Sequence, residues 1–463
     1  MFDKNLKKFK DNICLIGENK VLTYDEVDEL CSKLEEFFQK DKLLVLVKAK
    51  TNLETIIGYL SLLRANQAFI MLDASIHKKL IEKIINIYKP NYILEEKEKG
   101  KEYVYEYKSY GIREFNTSKL NLHPDLSLIL STSGTTGSPK MVRLTKKNLY
   151  SNCNSIVKYL KIKQDHRSIT NLPLHYSYGI SVLNTHLSQG ASIVVTNKSI
   201  ISKEFWQIFK ENNVTTLNGV PYSYEIFRRI GLMKMKLPSL KYMTQAGGKL
   251  NHKLVKEYAI WARENNIKFF VMYGQTEATA RISYLPPEKT LEKPSSIGIP
   301  IPNGKLMIKD LNSDKIIEED GVKGELIYCG NNVMMGYATK LEDLSKGDEL
   351  KGILHTGDIA YKDKDGYFYI VGRLKRFIKI YGNRVNLDEV EQYLKSLKYN
   401  VLCTGVDNKL MVATKEKDKI EEIKQKLIQK YGFHHSVVKV KFIPNYPVTS
   451  AGKIKYSELM KEF

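Results

Sequence analysis

Cysteine is scarce and scattered in this chain of 463 residues. Its 5 cysteines form no Cys-x-x-Cys pair, so the sequence predicts neither a zinc site nor a disulfide framework. No apolar run reaches the ~18 residues of a membrane-spanning helix, and the first residues lack the apolar segment of a secretory signal. We therefore expect a cytoplasmic location, where thiols stay reduced, and no membrane partner.

Acidic residues are also in short supply. The chain has 52 Asp and Glu against 73 Lys and Arg, which gives a net charge of +21. Such a surplus can indicate nucleic acid, a membrane surface or a polyanionic ligand, or only a lysine-rich composition. With 43% hydrophobic and 27% charged residues the composition is that of a globular protein, and it excludes a disordered or collagen-like chain.

Short apolar segments alternate with longer helical patterns along most of the chain. Predicted strands before residue 296 lie at 43–47, 69–72, 127–130, 192–196, 215–220, 242–245 and 269–272. Strand–helix alternation of this kind predicts an α/β protein, whose large N-terminal domain holds mostly parallel sheets covered by helices.

The pattern changes after residue 296. Shorter strands at 325–328, 359–362 and 367–371 predict a small barrel-like region. Strands at 409–414 and 437–443 with a helix at 417–431 then predict a small α+β C-terminal domain. The predicted domains are residues 1–373 and 374–463.

The strongest local signal is the segment Ser131-Thr-Ser-Gly-Thr-Thr-Gly-Ser-Pro-Lys140, which follows a predicted strand and precedes a helix predicted to begin near Thr145. Glycines let the backbone turn and expose N–H groups, while hydroxyls and a lysine add donors and charge, so the loop suits a polyphosphate. It is not a Walker A loop, because Pro139 stands where that pattern needs its second glycine. The predicted binding residues are Thr132, Ser133, Gly134, Thr135, Thr136, Gly137 and Lys140.

This segment resembles the phosphate loop of the adenylate-forming superfamily, which includes acyl-CoA synthetases, adenylation domains and beetle luciferases. Further segments resemble motifs of that superfamily and follow in its order: Ala246-Gly247-Gly248, Tyr273-Gly274-Gln-Thr276-Glu277, Leu354-His-Thr-Gly-Asp358, Gly372-Arg373 and Pro447-Val-Thr-Ser-Ala-Gly-Lys453. The resemblance covers most of the chain.

The resemblance implies roles in nucleotide binding for several of these residues. Tyr273 stacks on adenine, for which its ring offers a flat apolar platform, and Gly274 belongs to the same motif. Thr276 contacts the α-phosphate or the acyl carboxylate. Glu277 holds Mg²⁺, which prefers hard oxygen ligands. The remaining implied contacts are the backbone of Gly247 and Gly248 beside adenine and the acyl group, and Asp358 and Arg373 on the ribose.

The resemblance also implies a mobile C-terminal domain. Lys375 falls at the position of the superfamily's hinge, and Lys379 lies on the face used in the second half-reaction. Lys453 corresponds to the catalytic lysine of adenylation, where a cation stabilises the charge that develops on the α-phosphoryl group.

The acyl pocket is expected near Leu172-Pro-Leu-His175-Tyr-Ser-Tyr178-Gly179, which resembles the segment at the pocket mouth. Amino-acid-activating members place an aspartate near the position of Ser177, so an α-amino acid is less favoured but remains open. His175 is a candidate catalytic residue, and the candidate pocket residues are Tyr178, Asn218, Tyr222 and Arg281. Arg281 either pairs with a second anionic group on the substrate or is a surface arginine.

The resemblance implies a two-step ligase. A carboxylic acid and Mg·ATP give acyl-AMP and pyrophosphate, and a thiol then takes the acyl group. The thiol is coenzyme A or the phosphopantetheine of a carrier protein. One alternative is a stand-alone amino-acid-type adenylation enzyme that loads a carrier protein. A nucleic-acid-binding protein, suggested by charge alone, is disfavoured, since it would not need the ordered ATP motifs.

The basic surplus is concentrated near the C-terminus. Residues 374–463 contain 18 Lys and Arg against 10 Asp and Glu. Because the C-terminal domain is the part that turns toward the thiol in this superfamily, the surplus favours an acidic acceptor, such as an acyl or peptidyl carrier protein.

Overall fold

The computed structural model describes residues 2–4, 6–38, 41–131, 140–374, 376–381, 383–448 and 454–463. Three of the predictions above fall outside these residues. They are the phosphate-loop residues at 132–137, the hinge residue Lys375 and the catalytic residue Lys453.

The described residues form helices and strands in alternation. The helices are α1 (Tyr24–Phe37), α2 (Leu53–Arg64), α3 (Lys78–Tyr88), α4 (Lys146–Leu160), α5 (Ser177–Leu187), α6 (Lys203–Glu211), α7 (Pro221–Arg229), α8 (His252–Glu264), α9 (Leu387–Ser396), α10 (Ile420–Tyr431) and α11 (Tyr456–Lys461).

The strands up to residue 300 are β1 (Ile13–Ile16), β2 (Val21–Thr23), β3 (Leu44–Ala49), β4 (Ala68–Asp73), β5 (Tyr92–Glu96), β6 (Tyr105–Tyr107), β7 (Tyr110–Glu114), β8 (Leu126–Ser131), β9 (Met141–Thr145), β10 (Arg167–Ile169), β11 (Ser192–Val194), β12 (Thr216–Gly219), β13 (Tyr242–Gln245), β14 (Lys268–Tyr273), β15 (Ser283–Leu285) and β16 (Ile299–Pro300). The later strands are β17 (Lys305–Lys309), β18 (Ile316–Ile317), β19 (Gly324–Cys329), β20 (Gly336–Ala338), β21 (Ile353–Lys362), β22 (Phe368–Arg373), β23 (Phe377–Ile380), β24 (Asn383–Asn386), β25 (Val401–Val406), β26 (Lys409–Thr414) and β27 (Val438–Phe442).

The chain divides into two compact units. The first is Met1–Lys305 with Cys329–Leu354, and the second is Leu306–Tyr328 with His355–Phe463. The division at 373/374 stays a prediction, as does the hinge near Lys375. Among the described helices, none combines the length and the apolar character that a membrane crossing requires.

The first unit contains two large sheets. One has the strand order β16-β15-β14-β13-β12-β10-β11-β1-β2, and the other has the order β20-β9-β8-β4-β3-β5-β7-β6. Parallel pairing joins β10 through β14 in the first sheet and β3, β4, β5 and β8 in the second. The prediction of an α/β protein with mostly parallel, helix-covered sheets is confirmed.

The apolar runs explain why these strands form sheet centres. β3 reads Leu-Val-Leu-Val-Lys-Ala and β4 reads Ala-Phe-Ile-Met-Leu-Asp, and nearly every side chain of both is buried. Continuous apolar runs of β-branched and large residues are typical of parallel strands that are covered on both faces. Helix α2, which follows β3, is buried over most of its length and is capped by the side chain of Asn52.

The second unit contains smaller sheets. One has the order β18-β17-β19-β21-β22, β23 pairs with β24, and the last has the order β25-β26-β27. In the last sheet β26 pairs antiparallel with β25 and parallel with β27, and helix α10 connects the parallel pair. This arrangement confirms the prediction of a small α+β region near the C-terminus.

Candidate active site

The first part of the site is a contact between three side chains, those of Lys140, Tyr337 and Glu277. Strand β20 pairs antiparallel with β9, which begins just after Lys140, and the register places Tyr337 opposite Val142. Lys140 Nζ lies 3.4 Å from the centroid of the Tyr337 ring. The Tyr337 hydroxyl donates to Glu277 Oε1 at 2.9 Å. Tyr337 therefore connects the lysine of the predicted phosphate loop with the predicted metal ligand.

One carboxylate oxygen of this cluster has no hydrogen-bond partner among the residues that the structure describes. Glu277 is half-buried, and its Oε2 accepts no hydrogen bond from a residue that the structure describes. Burial and the neighbouring Glu277 raise the pKa of Tyr337, so its hydroxyl stays protonated and donates to the carboxylate. A single carboxylate beside a phosphate site suits Mg²⁺, which is usually bound by one or two carboxylates together with substrate phosphates.

The loop after β14 places Glu277. Strand β14 ends at Tyr273, and a Cβ atom at Gly274 would lie 1.9 Å from the carbonyl oxygen of Ala280, so only glycine fits there. A short 3₁₀ helix, Thr276–Ala278, follows. The Thr276 Oγ1 atom lies 3.4 Å from the Ser177 Oγ atom at the start of α5. The motif Tyr-Gly-x-Thr-Glu is thus held in one tight turn.

The predicted glycine pair, Gly247 and Gly248, lies in the turn after β13, close to Tyr176. Gly247 has φ +85°, and a Cβ atom there would lie 2.6 Å from the Tyr176 hydroxyl. The Gln245 side chain donates to the Gly248 carbonyl at 2.9 Å, which fixes the turn after β13. Glycine is required at 247 both by the left-handed backbone and by the close approach of Tyr176.

His175 lies beside a residue that the sequence did not single out. Its Nε2 atom is 3.7 Å from Asp73 Oδ2, at the C-terminal end of β4. Burial lowers the pKa of His175, while Asp73 acts in the opposite direction. The imidazole is therefore neutral at pH 7, and its catalytic role stays a prediction.

The predicted pocket residues have different surroundings. The Tyr178 hydroxyl bonds to Thr244 Oγ1 at 2.7 Å, and that hydroxyl donates to Asn218 Oδ1 at 2.6 Å. Tyr178, Asn218 and Arg281 are buried, with Arg281 only 3% exposed, so it is not a surface arginine. Tyr222, in the first turn of α7, is 54% exposed, and its place in the pocket stays a prediction.

In the second unit the two predicted ribose ligands meet. Asp358 on β21 and Arg373 on β22 are register partners, and Arg373 Nε lies 3.1 Å from Asp358 Oδ1. Asp358 is buried, whereas 68% of the Arg373 side chain is exposed. Lys379 lies on β23 with an exposed side chain, and its backbone N–H donates to Asp407 Oδ1 at 2.8 Å.

Comparison with known proteins gives the family. A model of the family described as "AMP-binding enzyme" matches residues 2–338. The chain therefore belongs to the AMP-binding enzyme family, which confirms the resemblance to adenylate-forming enzymes.

The individual relatives share about a third or less of their aligned residues with this chain. The chain is 33% identical over 287 residues to an oxalate–CoA ligase of Arabidopsis thaliana, a match that covers 60% of this chain and 54% of the relative. It is 26% identical over 431 residues to gramicidin S synthase 1 of Brevibacillus brevis, covering 86% of this chain and 37% of the relative. The chain thus spans about half, or less, of the length of these relatives.

The fold also matches solved structures. The o-succinylbenzoate CoA synthetase of Bacillus subtilis, solved with its acyl-adenylate intermediate, superposes with a TM-score of 0.78 at 19% identity. That match covers 98% of this chain and 97% of the synthetase. This likeness confirms the predicted fold class.

Proposed function

We propose that the protein is an AMP-forming acid–thiol ligase. It activates a small carboxylic acid with ATP and transfers the acyl group to a thiol. The observation that carries the proposal is the cluster of Lys140, Tyr337 and Glu277. It brings the last residue of the predicted phosphate loop, Lys140, close to a carboxylate with one oxygen unpaired among the described residues. Membership of the AMP-binding enzyme family supports the same chemistry.

In the first step, an oxygen of the substrate carboxylate bonds to the α-phosphorus of ATP. The bond from that phosphorus to the oxygen bridging to the β-phosphorus breaks, and pyrophosphate leaves. Lys140 supplies positive charge near the triphosphate, and Lys453 stabilises the charge that develops at the α-phosphoryl group. Glu277 would hold Mg²⁺, which neutralises phosphate charge when bound. Asp358 and Arg373 would orient the ribose.

In the second step, the thiol sulfur bonds to the acyl carbon, the bond from that carbon to the AMP oxygen breaks, and the thiol proton passes to solvent. We take coenzyme A as the first candidate acceptor, because one relative is an oxalate–CoA ligase. A carrier protein is the second candidate, favoured by the 18 basic against 10 acidic residues in 374–463.

All five cysteines are unpaired, which supports a reducing compartment such as the cytoplasm.

An ATP–pyrophosphate exchange screen tests the first step. With mixtures of carboxylic acids, we expect exchange that depends on acid, on Mg²⁺ and on the protein. Pools that support exchange are then separated into single acids, and thioester is measured by mass spectrometry with coenzyme A and with a phosphopantetheinylated carrier protein. Acid-dependent formation of ADP and phosphate, without exchange, would contradict the proposal.

A further inference from the structure

Arg281 is a buried cation with no acid nearby among the described residues. Its guanidinium lies 3.9 Å from the centroid of the Tyr178 ring. Its Nε lies 3.4 Å from Met272 Sδ, and Nη1 donates to the Ala280 carbonyl at 3.3 Å. Among the residues that the structure describes, no carboxylate lies within ion-pair distance of Arg281, and its Nη2 donates no hydrogen bond. An isolated buried charge is costly, so this arrangement calls for an anionic partner.

The neighbouring tyrosines do not supply that anion. Burial raises the pKa of Tyr178 to about 12, although Arg281 acts in the opposite direction. Burial likewise raises the pKa of Tyr159 and of Tyr176 against the effect of Arg281. All three hydroxyls are therefore neutral at physiological pH, and the positive charge of Arg281 is not balanced by them.

A second buried arginine shows the usual arrangement. Arg143 is 0% exposed, and its guanidinium forms an ion pair with Glu349 and donates to the Lys346 carbonyl. Buried guanidinium groups are expected to be paired in this way. Arg281, at 3% exposure, is buried to a similar degree but lacks such a pair among the described residues.

The backbone around Arg281 is held in a strained form. Thr279 has φ +66° and ψ −55°, and the Ala280 N–H donates to the Ala278 carbonyl at 2.7 Å. These values define a classic γ-turn, which is rare, and a β-branched residue at positive φ adds to its cost. Strain of this kind persists where the surroundings fix it, and it is concentrated at functional sites.

Two asparagines hold the turn by hydrogen bonds. The Arg281 carbonyl accepts from Asn152 Nδ2 at 3.1 Å and from Asn332 Nδ2 at 2.9 Å. The Thr279 hydroxyl donates to the Asn332 carbonyl at 2.7 Å. The chain therefore positions Arg281 with several buried hydrogen bonds, which a solvated arginine would not need.

The guanidinium lies in the layer that contains the predicted pocket. Met272 and Tyr273 are consecutive in β14 and point to opposite faces of the sheet. Arg281 contacts Met272 and Tyr178, so it lies on the face covered by α5, away from the face of Tyr273. The rings of Tyr178 and Tyr176 pack edge-to-face, with their centroids 6.2 Å apart. The Tyr176 hydroxyl in turn lies close to Gly247.

We infer that the acid activated by this protein carries a second carboxylate, which binds Arg281 Nη2 in the layer between α5 and the sheet. The inference rests on the proposed function and names the substrate class of that site, a small dicarboxylic acid. One carboxylate reacts with ATP, and the other remains unchanged and supplies the missing counter-charge. A guanidinium is suited to this task because its planar donors match a carboxylate.

Matched acids test the inference on the wild-type protein. The panel contains malonate, succinate, glutarate, adipate and the benzenedicarboxylates, each paired with its monoamide and with the acid whose second carboxylate is a methyl group. In ATP–pyrophosphate exchange, we expect kcat/KM for the preferred diacid to exceed that of both partners by at least about 100-fold.

Variants assign the preference to Arg281. We expect Arg281→Gln to reduce the ratio of diacid to monoamide by at least about 10-fold, and Arg281→Lys, which keeps the charge, to retain more of the ratio. Arg228→Gln is the matched control, because Arg228 is an exposed arginine paired with Glu257 at 3.0 Å. Its ratio should equal that of the wild type.

The outcomes separate this inference from the proposed function. Exchange with monoacids at rates equal to those with diacids, or an unchanged ratio in Arg281→Gln, would overturn the dicarboxylate inference and leave the ligase intact. Absence of exchange with every acid of the screen and of this panel would overturn both. Because the first comparison uses only wild-type protein, it holds even if a variant does not fold.

Discussion

Replacement of Lys453 by alanine is expected to slow acyl-adenylate formation by about 10²–10³-fold, the usual effect of removing one group that stabilises transition-state charge. ATP binding should change little. Negative charge grows at the α-phosphoryl group only as the carboxylate attacks, so a cation placed there acts on the rate more than on binding. Pyrophosphate exchange gives the rate, and equilibrium dialysis with labelled ATP gives the binding.

Lys455 provides the control for this experiment. It is two residues from Lys453, and its Nζ pairs with Glu458 Oε1 at 3.1 Å, so it already has a local role. Lys455→Ala should keep exchange close to the wild-type rate. Wild-type exchange in Lys453→Ala would contradict the catalytic role, and so would a loss that is explained fully by weaker ATP binding.

The second large effect is expected at Glu277. Glu277→Gln keeps the size of the side chain and an oxygen that can accept from Tyr337, but it removes the negative charge. We expect the Mg²⁺ concentration for half-maximal exchange to rise by at least about 10- to 100-fold, since an amide is a weaker ligand for a hard cation. The measurement is exchange rate against Mg²⁺ at fixed free ATP.

Two further variants separate the charge from its surroundings. Tyr337→Phe removes only the hydroxyl that donates to Glu277, and it should shift the Mg²⁺ requirement less than Glu277→Gln does. Glu342→Gln, at an acid whose side chain is 71% exposed, should leave the requirement unchanged. An unchanged Mg²⁺ curve in Glu277→Gln would contradict the assignment of Glu277 as the metal ligand.

The sequence was most informative where apolar runs and ordered motifs coincide. Strand β13 was predicted with its observed bounds, Tyr242–Gln245, and β14 to within one residue at each end. Both strands are buried, so the apolar pattern follows directly from the fold. The motif at Tyr273–Glu277 was placed correctly at the end of β14, because its glycine marks a turn that no other residue fits.

Strand β9 shows where local patterns fail. The sequence predicted that the loop ending at Lys140 leads to a helix near Thr145, and Thr145 does cap helix α4. The five residues between form a strand, which the prediction missed. Its centre holds the buried Arg143, whose charge is compensated by Glu349 more than 200 residues away. No local pattern reveals such a partner.

The surroundings of Tyr337 and of Arg281 could not be predicted, because both depend on residues far away in the sequence. The role of Tyr337 depends on the pairing of β20 with β9, and nothing in its neighbouring residues indicates that pairing. Arg281 could be either a pocket or a surface residue by sequence alone. Its backbone carbonyl accepts hydrogen bonds from Asn152 and Asn332, which lie far from it in the chain. Chemistry was predictable from motifs, whereas non-local contacts needed the structure.

The central claim is that the acid is activated as an adenylate, and the fate of its oxygen tests this most directly. An acid that supports exchange is labelled with ¹⁸O in its carboxylate and incubated with the protein, Mg·ATP and a thiol, and the nucleotide and phosphate products are analysed by mass spectrometry. If the carboxylate attacks the α-phosphorus, one ¹⁸O atom must appear in AMP, and pyrophosphate must carry none. Label in inorganic phosphate, with ADP as the nucleotide product, would contradict the account.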